Sequence, residues 1–251
     1  MPARARRRSF HVMQGDLVQT SPPGLITYAI GDVHGCLDKL TTLVDLCMKH
    51  CAGRPMRLVF LGDYVDRGPD SRGVVNRLRA LQSEMPGMVV CLRGNHEALL
   101  LEAVATDDES QWFLNGAIQT LVSYGVREAI ALPRDHVDWI ASLPLFFDDG
   151  RRFFVHAGVD PTLPLDRQNE RDLLWIREPF LSSDRDYGRL IVHGHTPLQT
   201  ARPDLHANRL NLDTAAVYGG RLTAAAFDDQ KTAPLAFLYD AQAPSKLPAE
   251  P

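Results

Sequence analysis

Short apolar runs alternate with helical patterns over the first two thirds of the chain. "LITYAI" (25–30), "MRLVFL" (56–61) and "MVVCL" (88–92) are nearly continuous apolar stretches of strand length, as expected of strands covered on both faces. After the first run, Leu37, Leu40, Leu43, Val44, Leu46 and Cys47 recur at helical spacing. Asp70 reads as the cap of a second helix running to about Glu84. Such alternation predicts parallel strands joined by helical crossovers. A helical insertion is expected over about 97–143, containing "WFLNGAIQTLVSYG" and "DHVDWIASL". Beyond it the spacing shortens. "LFFDD", Gly150 and "RFFVHAG" read as a hairpin, and "RLIVHGH", "RLNLDT", "LTAAAFDD" and "PLAFLYD" predict further strands. These later strands should form a second, more antiparallel sheet packed on the first. The expected fold class is α/β, a two-sheet β-sandwich of mixed sheets flanked by helices. Residues 23–242 should form one domain, between a disordered basic tail at 1–22 and a disordered tail at 243–251.

A chain of 251 residues with 45% hydrophobic content can bury a sizeable core. The formal charge of −4 gives no basic field to recruit nucleic acid, so a polyanionic substrate needs a local positive site. The start, "MPARARRRSF", lacks the apolar stretch of a secretory signal, and no apolar run reaches spanning length, so a soluble, cytoplasmic protein is expected. Cys36, Cys47, Cys51 and Cys91 contain no Cys-x-x-Cys pair and read as free, mostly buried thiols.

Several strand candidates end in the same kind of chemistry. "IGDVHG" delivers Asp32 and His34. "LGDYVDRG" delivers Asp63, Asp66 and Arg67, and "RGNHE" delivers Asn95, His96 and Glu97. "VHAG" delivers His156, and "VHGHTP" delivers His193 and His195. A single aspartate after a strand is usually a turn or cap residue, and a single histidine is usually structural. Five strand ends carrying oxygen and imidazole donors to one rim are not five accidents, because ligands of open α/β sheets gather beyond the carboxyl ends of strands. Mixed Asp, His and Asn donors suit Mn, Fe, Zn, Co or Ni more than Ca.

In order and spacing, "GDVHG", "GDYVDRG", "GNHE", "HAG" and "GHTP" resemble the phosphoprotein phosphatase family of calcineurin-like metallophosphoesterases, over roughly residues 25–215. The resemblance implies that family's fold and two divalent ions, manganese foremost. Carried over, one ion takes Asp32, His34 and Asp63, and the other takes Asp63, Asn95, His156 and His195, with Asp63 shared. It implies a hydroxide bridging the ions that attacks phosphorus, His96 as general acid oriented by Asp66, and Arg67 and Arg177 on the phosphate. Packing competes for His96, and a surface salt bridge competes for Arg177. An amide at Asn95 keeps the site cationic, since four metal charges face only Asp32, Asp63 and the hydroxide. His193 and Asp213 are expected behind the ligands, holding a carboxylate or a metal-bound water. Glu97 reads as a helix-start carboxylate, and Arg93 is open between the rim and a structural role.

The chain resembles the bacterial and phage branch through "WFLNGA" and "TLVSYG", and it lacks the "SAPNY"-like segment of eukaryotic members. That branch holds serine/threonine phosphatases and dinucleoside-tetraphosphate hydrolases. Its symmetrical tetraphosphate hydrolases tend to lose the aspartate of "DRG" and to carry "GNHD". Asp66 and Glu97 therefore favour phosphoserine or phosphothreonine in proteins as substrate. A nucleotide or RNA-cap phosphoanhydride is the neighbouring alternative, and a noncatalytic metal-dependent binding protein is the alternative of another class. Oligomeric state is left open.

Overall fold

The first strand, β1 (Ile26–Ile30), is buried along its whole length because two different layers cover it. Ile26, Tyr28 and Ile30 face a helical layer, while Ala29 faces a second sheet, so the period of two survives inside a continuous apolar run. The computed structural model describes residues 22–240, and the tails expected at either end fall outside this range apart from Pro22.

In chain order, α1 (Leu37–Cys51), β2 (Met56–Phe60), α2 (Ser71–Glu84) and β3 (Val89–Cys91) complete the predicted alternation. β1, β2 and β3 are parallel, with Ile30 opposite Phe60 and Phe60 opposite Cys91. The cap on α2 is as read: the Asp70 carboxylate accepts the Gly73 N–H at 2.8 Å. The insertion consists of α3 (Asn95–Thr106), α4 (Ser110–Leu114), α5 (Ala117–Tyr124) and α6 (Arg134–Ala141). These helices build their own core around Trp112, Leu121 and Ile140. The insertion begins two residues earlier than expected, so Asn95 and His96 lie in the first turn of α3.

The second half comprises β4 (Phe146–Asp148), β5 (Arg152–Val155), α7 (Glu170–Trp175), β6 (Leu190–His193), β7 (Asp204–Leu205), β8 (Arg209–Asn211), β9 (Thr223–Phe227) and β10 (Ala236–Tyr239). The expected hairpin is present as the antiparallel pair β4–β5. The allocation of the other strands differs from the prediction. β9 and β10 return to the first sheet, giving the order β10-β9-β1-β2-β3, and the second sheet runs β4-β5-β6-β8-β7. Its centre is parallel, β5 with β6 and β6 with β8, so only its edges are antiparallel. Antiparallel pairing of β9 with β1 makes the return, with Ala225 and Phe227 in the space between the sheets and Ala224 and Ala226 in the core on the α1 side. The sheets pack through Val59, Leu61 and Leu92 against Phe154, Val192 and Leu210. Among the described residues no helix is long and apolar enough to cross a membrane.

Candidate active site

Parallel register aligns the carboxyl ends of β1, β2 and β3, and of β5, β6 and β8, so the loops that follow converge on one rim. Close approach there requires glycine. A Cβ at Gly62 would lie 2.7 Å from Gly94 backbone and 2.9 Å from His156 Nδ1, and one at Gly194 would lie 2.0 Å from Asp32 Oδ1. The chemistry-bearing residues bend as sharply without being glycine. His34, Asp63, Asp66, Arg67 and His195 all have φ between 43° and 72°, in the left-handed region that ordinary side chains avoid. Strain of this kind persists where surrounding contacts over-determine it, and it clusters at functional sites.

Asp63 is the centre of the arrangement and is almost wholly buried. Its Oδ2 lies 3.4 Å from His34 Nε2 and 3.9 Å from His96 Nε2, while its Oδ1 lies 3.4 Å from His156 Nε2. It therefore belongs to two donor groups, His34–Asp63–His96 and Asp63–His156–His195. The amide of Asn95 joins the second: its Oδ1 is 2.8 Å from His156 Nε2 and 2.9 Å from His195 Nδ1. Asp63 is the residue common to both groups, as it is in the expected ligand scheme. The first group departs from it, because His96 stands where Asp32 was expected. The Asp32 carboxylate is turned instead to the His195 backbone N–H, at 3.1 and 3.2 Å.

The donors fit divalent cations. His34 Nδ1–H donates to Val65 O at 2.8 Å and His156 Nδ1–H to Leu61 O at 2.9 Å, so both imidazoles aim an Nε2 lone pair inward. His156 Nε2 then faces Asn95 Oδ1, acceptor against acceptor, an arrangement that a cation relieves. Burial holds His34 and His156 below the ordinary histidine range, and burial together with His156 pushes His195 down to about 3. Burial raises the Asp63 pKa, but the surrounding histidines, led by His156, outweigh it and keep the carboxylate ionised. Burial and then the Asp213 and Asp63 charges push Asp32 well above the usual carboxylate range, and burial first takes Asp213 up to about 7. The Arg67 charge acts on both carboxylates without offsetting that burial.

His96 is arranged differently. Its Nδ1 lies 2.7 Å from Asp66 Oδ2, and its buried Nε2 has no hydrogen-bond partner. Burial opposes a proton on this ring, but the Asp63 and Asp66 carboxylates outweigh it and raise the pKa above the ordinary value.

A cleft of about 590 Å³ opens over these groups, lined by Asp63, Asn95, His96 and His195 below and by Arg67, Arg177 and Trp175 at the wall. Arg67 Nη1 donates to His34 Nε2 at 2.8 Å. Arg177, just beyond α7, makes no ion pair among the described residues, so the competing salt bridge is not formed.

Other expectations resolve by position. Asp213 follows β8 to the same rim, and after burial its charge is the next largest influence on Asp32. His193 does not hold a carboxylate. Its side chain shares a face of β6 with Ile191, packs edge-on against Phe180 at 5.0 Å, and donates only to Gly194 O. The two-residue alternation that would align it with His195 ends because His195 leaves the strand at φ 66°. Arg93 is structural, donating to Ala141 O at 2.6 Å. Glu97 does more than start a helix: its carboxylate accepts the backbone N–H groups of Asp63, Tyr64, Val65 and Gly94. Trp112 and Thr120, both on Asp66, carried no individual signal in the sequence. Only their place in "WFLNGAIQT" pointed to them.

Comparison with known proteins agrees with this geometry. Residues 27–226 match the model of the calcineurin-like phosphoesterase family. The chain is 32% identical to serine/threonine-protein phosphatase 1 of Salmonella typhimurium over 79% of its length and 90% of the relative's. It is 27% identical to an asymmetrical bis(5′-nucleosyl)-tetraphosphatase of Anoxybacillus flavithermus, over 81% of this chain and 91% of that one. A solved structure of a candidate diadenosine tetraphosphatase superposes with a TM-score of 0.60 at 26% identity, covering 80% of this chain and 89% of the other. The chain belongs to the calcineurin-like metallophosphoesterases and is a metal-dependent phosphoric ester hydrolase.

Proposed function

We propose that the protein is a phosphomonoesterase that removes phosphate from phosphoserine or phosphothreonine in proteins. One observation carries the reading: a buried imidazole with an unpartnered Nε2 faces a cleft that also presents two guanidinium groups over a shared carboxylate. Asp32, His34 and Asp63 would hold one divalent ion, and Asp63, Asn95, His156 and His195 the other, with manganese the favoured metal. Bound there, the ions would make a water acidic enough to attack near neutral pH and would neutralise charge on the phosphoryl group.

The chain's own residues do the rest. Arg67 and Arg177 grip non-bridging phosphate oxygens, for which the planar guanidinium fork is suited. They turn the scissile oxygen toward His96. As the water oxygen bonds to phosphorus and the phosphorus–oxygen bond of the ester breaks, His96 Nε2–H gives its proton to the departing alkoxide. The products are the free hydroxyl and inorganic phosphate. The proton released by the attacking water restores His96. Asp66 holds the ring by its other nitrogen throughout.

A second reading, cleavage of a dinucleoside tetraphosphate, draws on the tetraphosphatase relatives and on Trp175. The residue is 39% exposed and lines the cleft, where a nucleobase could stack on its ring. Competing hydrolysis of a phosphoserine peptide and diadenosine tetraphosphate by manganese-loaded protein separates the two. Higher kcat/KM on the peptide supports the first, and a preference for the dinucleotide replaces it with the second. Metal analysis of protein purified without added ions tests the manganese assignment. Four free thiols accord with a cytoplasmic setting.

A further inference from the structure

The carboxylate of Asp66 is fully buried, and every group that faces it is a donor. Oδ2 accepts His96 Nδ1–H at 2.7 Å and Trp112 Nε1–H at 2.8 Å. Oδ1 accepts Thr120 Oγ1–H at 2.7 Å and the same indole N–H at 3.0 Å. The direction of the hydroxyl bonds is settled by counting protons. Thr120 has one O–H, spent on Asp66 Oδ1, so Thr120 Oγ1 accepts both the Asp66 backbone N–H at 2.8 Å and the Ser71 hydroxyl at 3.0 Å. The carboxylate is therefore an acceptor in a fixed plane, and the imidazole it meets has Nδ1–H there and Nε2 toward the cleft.

The indole matters most because it spans both oxygens. Without it the carboxylate can swing about the Thr120 bond, and the ring of His96 swings with it. Trp112 is 1% exposed on α4, and Thr120 is buried on α5, so the two helices after α3 are what fix the orientation of a side chain in its first turn. Resting on the assignment of His96 as the acid, we propose that Trp112 and Thr120 are positioning residues for proton donation to the leaving group. They act through Asp66 and His96 and touch neither phosphate nor metal.

Dependence on the leaving group distinguishes this role from simple packing. An alkoxide needs a proton as it departs, whereas p-nitrophenolate departs without one. With manganese-loaded Trp112→Phe, kcat for glycerol 2-phosphate is expected to fall about 10-fold, part of the roughly 10²–10⁴-fold that acid catalysis supplies. The fall for p-nitrophenyl phosphate should be several-fold smaller, with KM and metal content unchanged for both. Thr120→Val should show the same selective loss and Thr120→Ser should restore the parent ratio, so the test stands if the indole variant folds poorly. A readout without turnover is the downfield imidazole N–H resonance of zinc-loaded protein, assigned by its absence in His96→Asn. It should move or broaden in Trp112→Phe.

Equal losses on both esters, a loss that follows metal content, or an unmoved resonance would overturn the proposal. If His96→Asn itself lacks leaving-group selectivity, the acid assignment is what fails. If His96→Asn is selective and the Trp112 and Thr120 variants are not, only the positioning role fails.

Discussion

Replacing Glu97 by glutamine tests how the loop that carries Asp63 is held. The carboxylate accepts four buried backbone N–H groups: Asp63 N at 2.8 Å and Gly94 N at 2.9 Å on Oε2, Tyr64 N at 2.7 Å and Val65 N at 3.3 Å on Oε1. An amide keeps the shape but has only one acceptor oxygen. Whichever way it turns, two buried N–H groups lose their partner and meet an NH₂ group. A buried donor left unsatisfied costs about 1–3 kcal/mol, so the pair costs about 4 kcal/mol. For a domain of this size that corresponds to a fall in Tm of roughly 8–16 °C. Thermal melts followed by circular dichroism, with and without chelator, measure it. Glu102→Gln on the exposed side of the same helix serves as the control and should stay within about 0.5 kcal/mol of the parent. A Tm for Glu97→Gln within 2 °C of that control would refute the reasoning, because it would mean that the four contacts carry no net stability.

Three other outcomes are expected. His96→Asn should keep its metal content, measured by plasma mass spectrometry, while turnover of a phosphopeptide falls about 10²–10⁴-fold; near-parental turnover excludes proton donation by His96. Asp63→Asn should empty both metal positions together, because its two oxygens face different donor groups; retention of one equivalent would show that the groups bind independently. With a thiol reagent, native protein should react first at the half-buried Cys36, and all four cysteines should react only after denaturation. Burial of Cys47, whose thiol is pushed up to about 12, underlies the delay, and fast native labelling of Cys47 would contradict the packing of α1.

The alternation of the first three strands with helices and the convergence of strand ends were legible because the apolar runs break off at glycines and at Asp, Asn or His donors. The family resemblance gave Asp63 to both ions; in the structure its two oxygens face His34 and His156 respectively. The return of β9 and β10 to the first sheet was not legible. Alanine at 224, 225 and 226 has no strong preference for either layer, and only pairing with β1 decides it. The partners of His193 were not legible: behind the rim its ring meets Phe180 and Gly194 O rather than a carboxylate, contacts that no local spacing records. Trp112 and Thr120 escaped because each works through a contact 46 or 54 residues away in sequence, which no local spacing records. Glu97 was placed correctly at a helix start, yet its hydrogen bonds reach back 32–34 residues to another loop.

Left-handed backbone at His34, Asp63, Asp66, Arg67 and His195 sets durability against performance in this enzyme. At each position an achiral residue would relax the chain by about 1 kcal/mol or more, and each such exchange would delete a group to which the proposed chemistry assigns a task. A laboratory selection for heat resistance alone should therefore accumulate glycines in these loops and return a sturdier but inert protein. Screening for thermostable descendants has to score turnover in the same round.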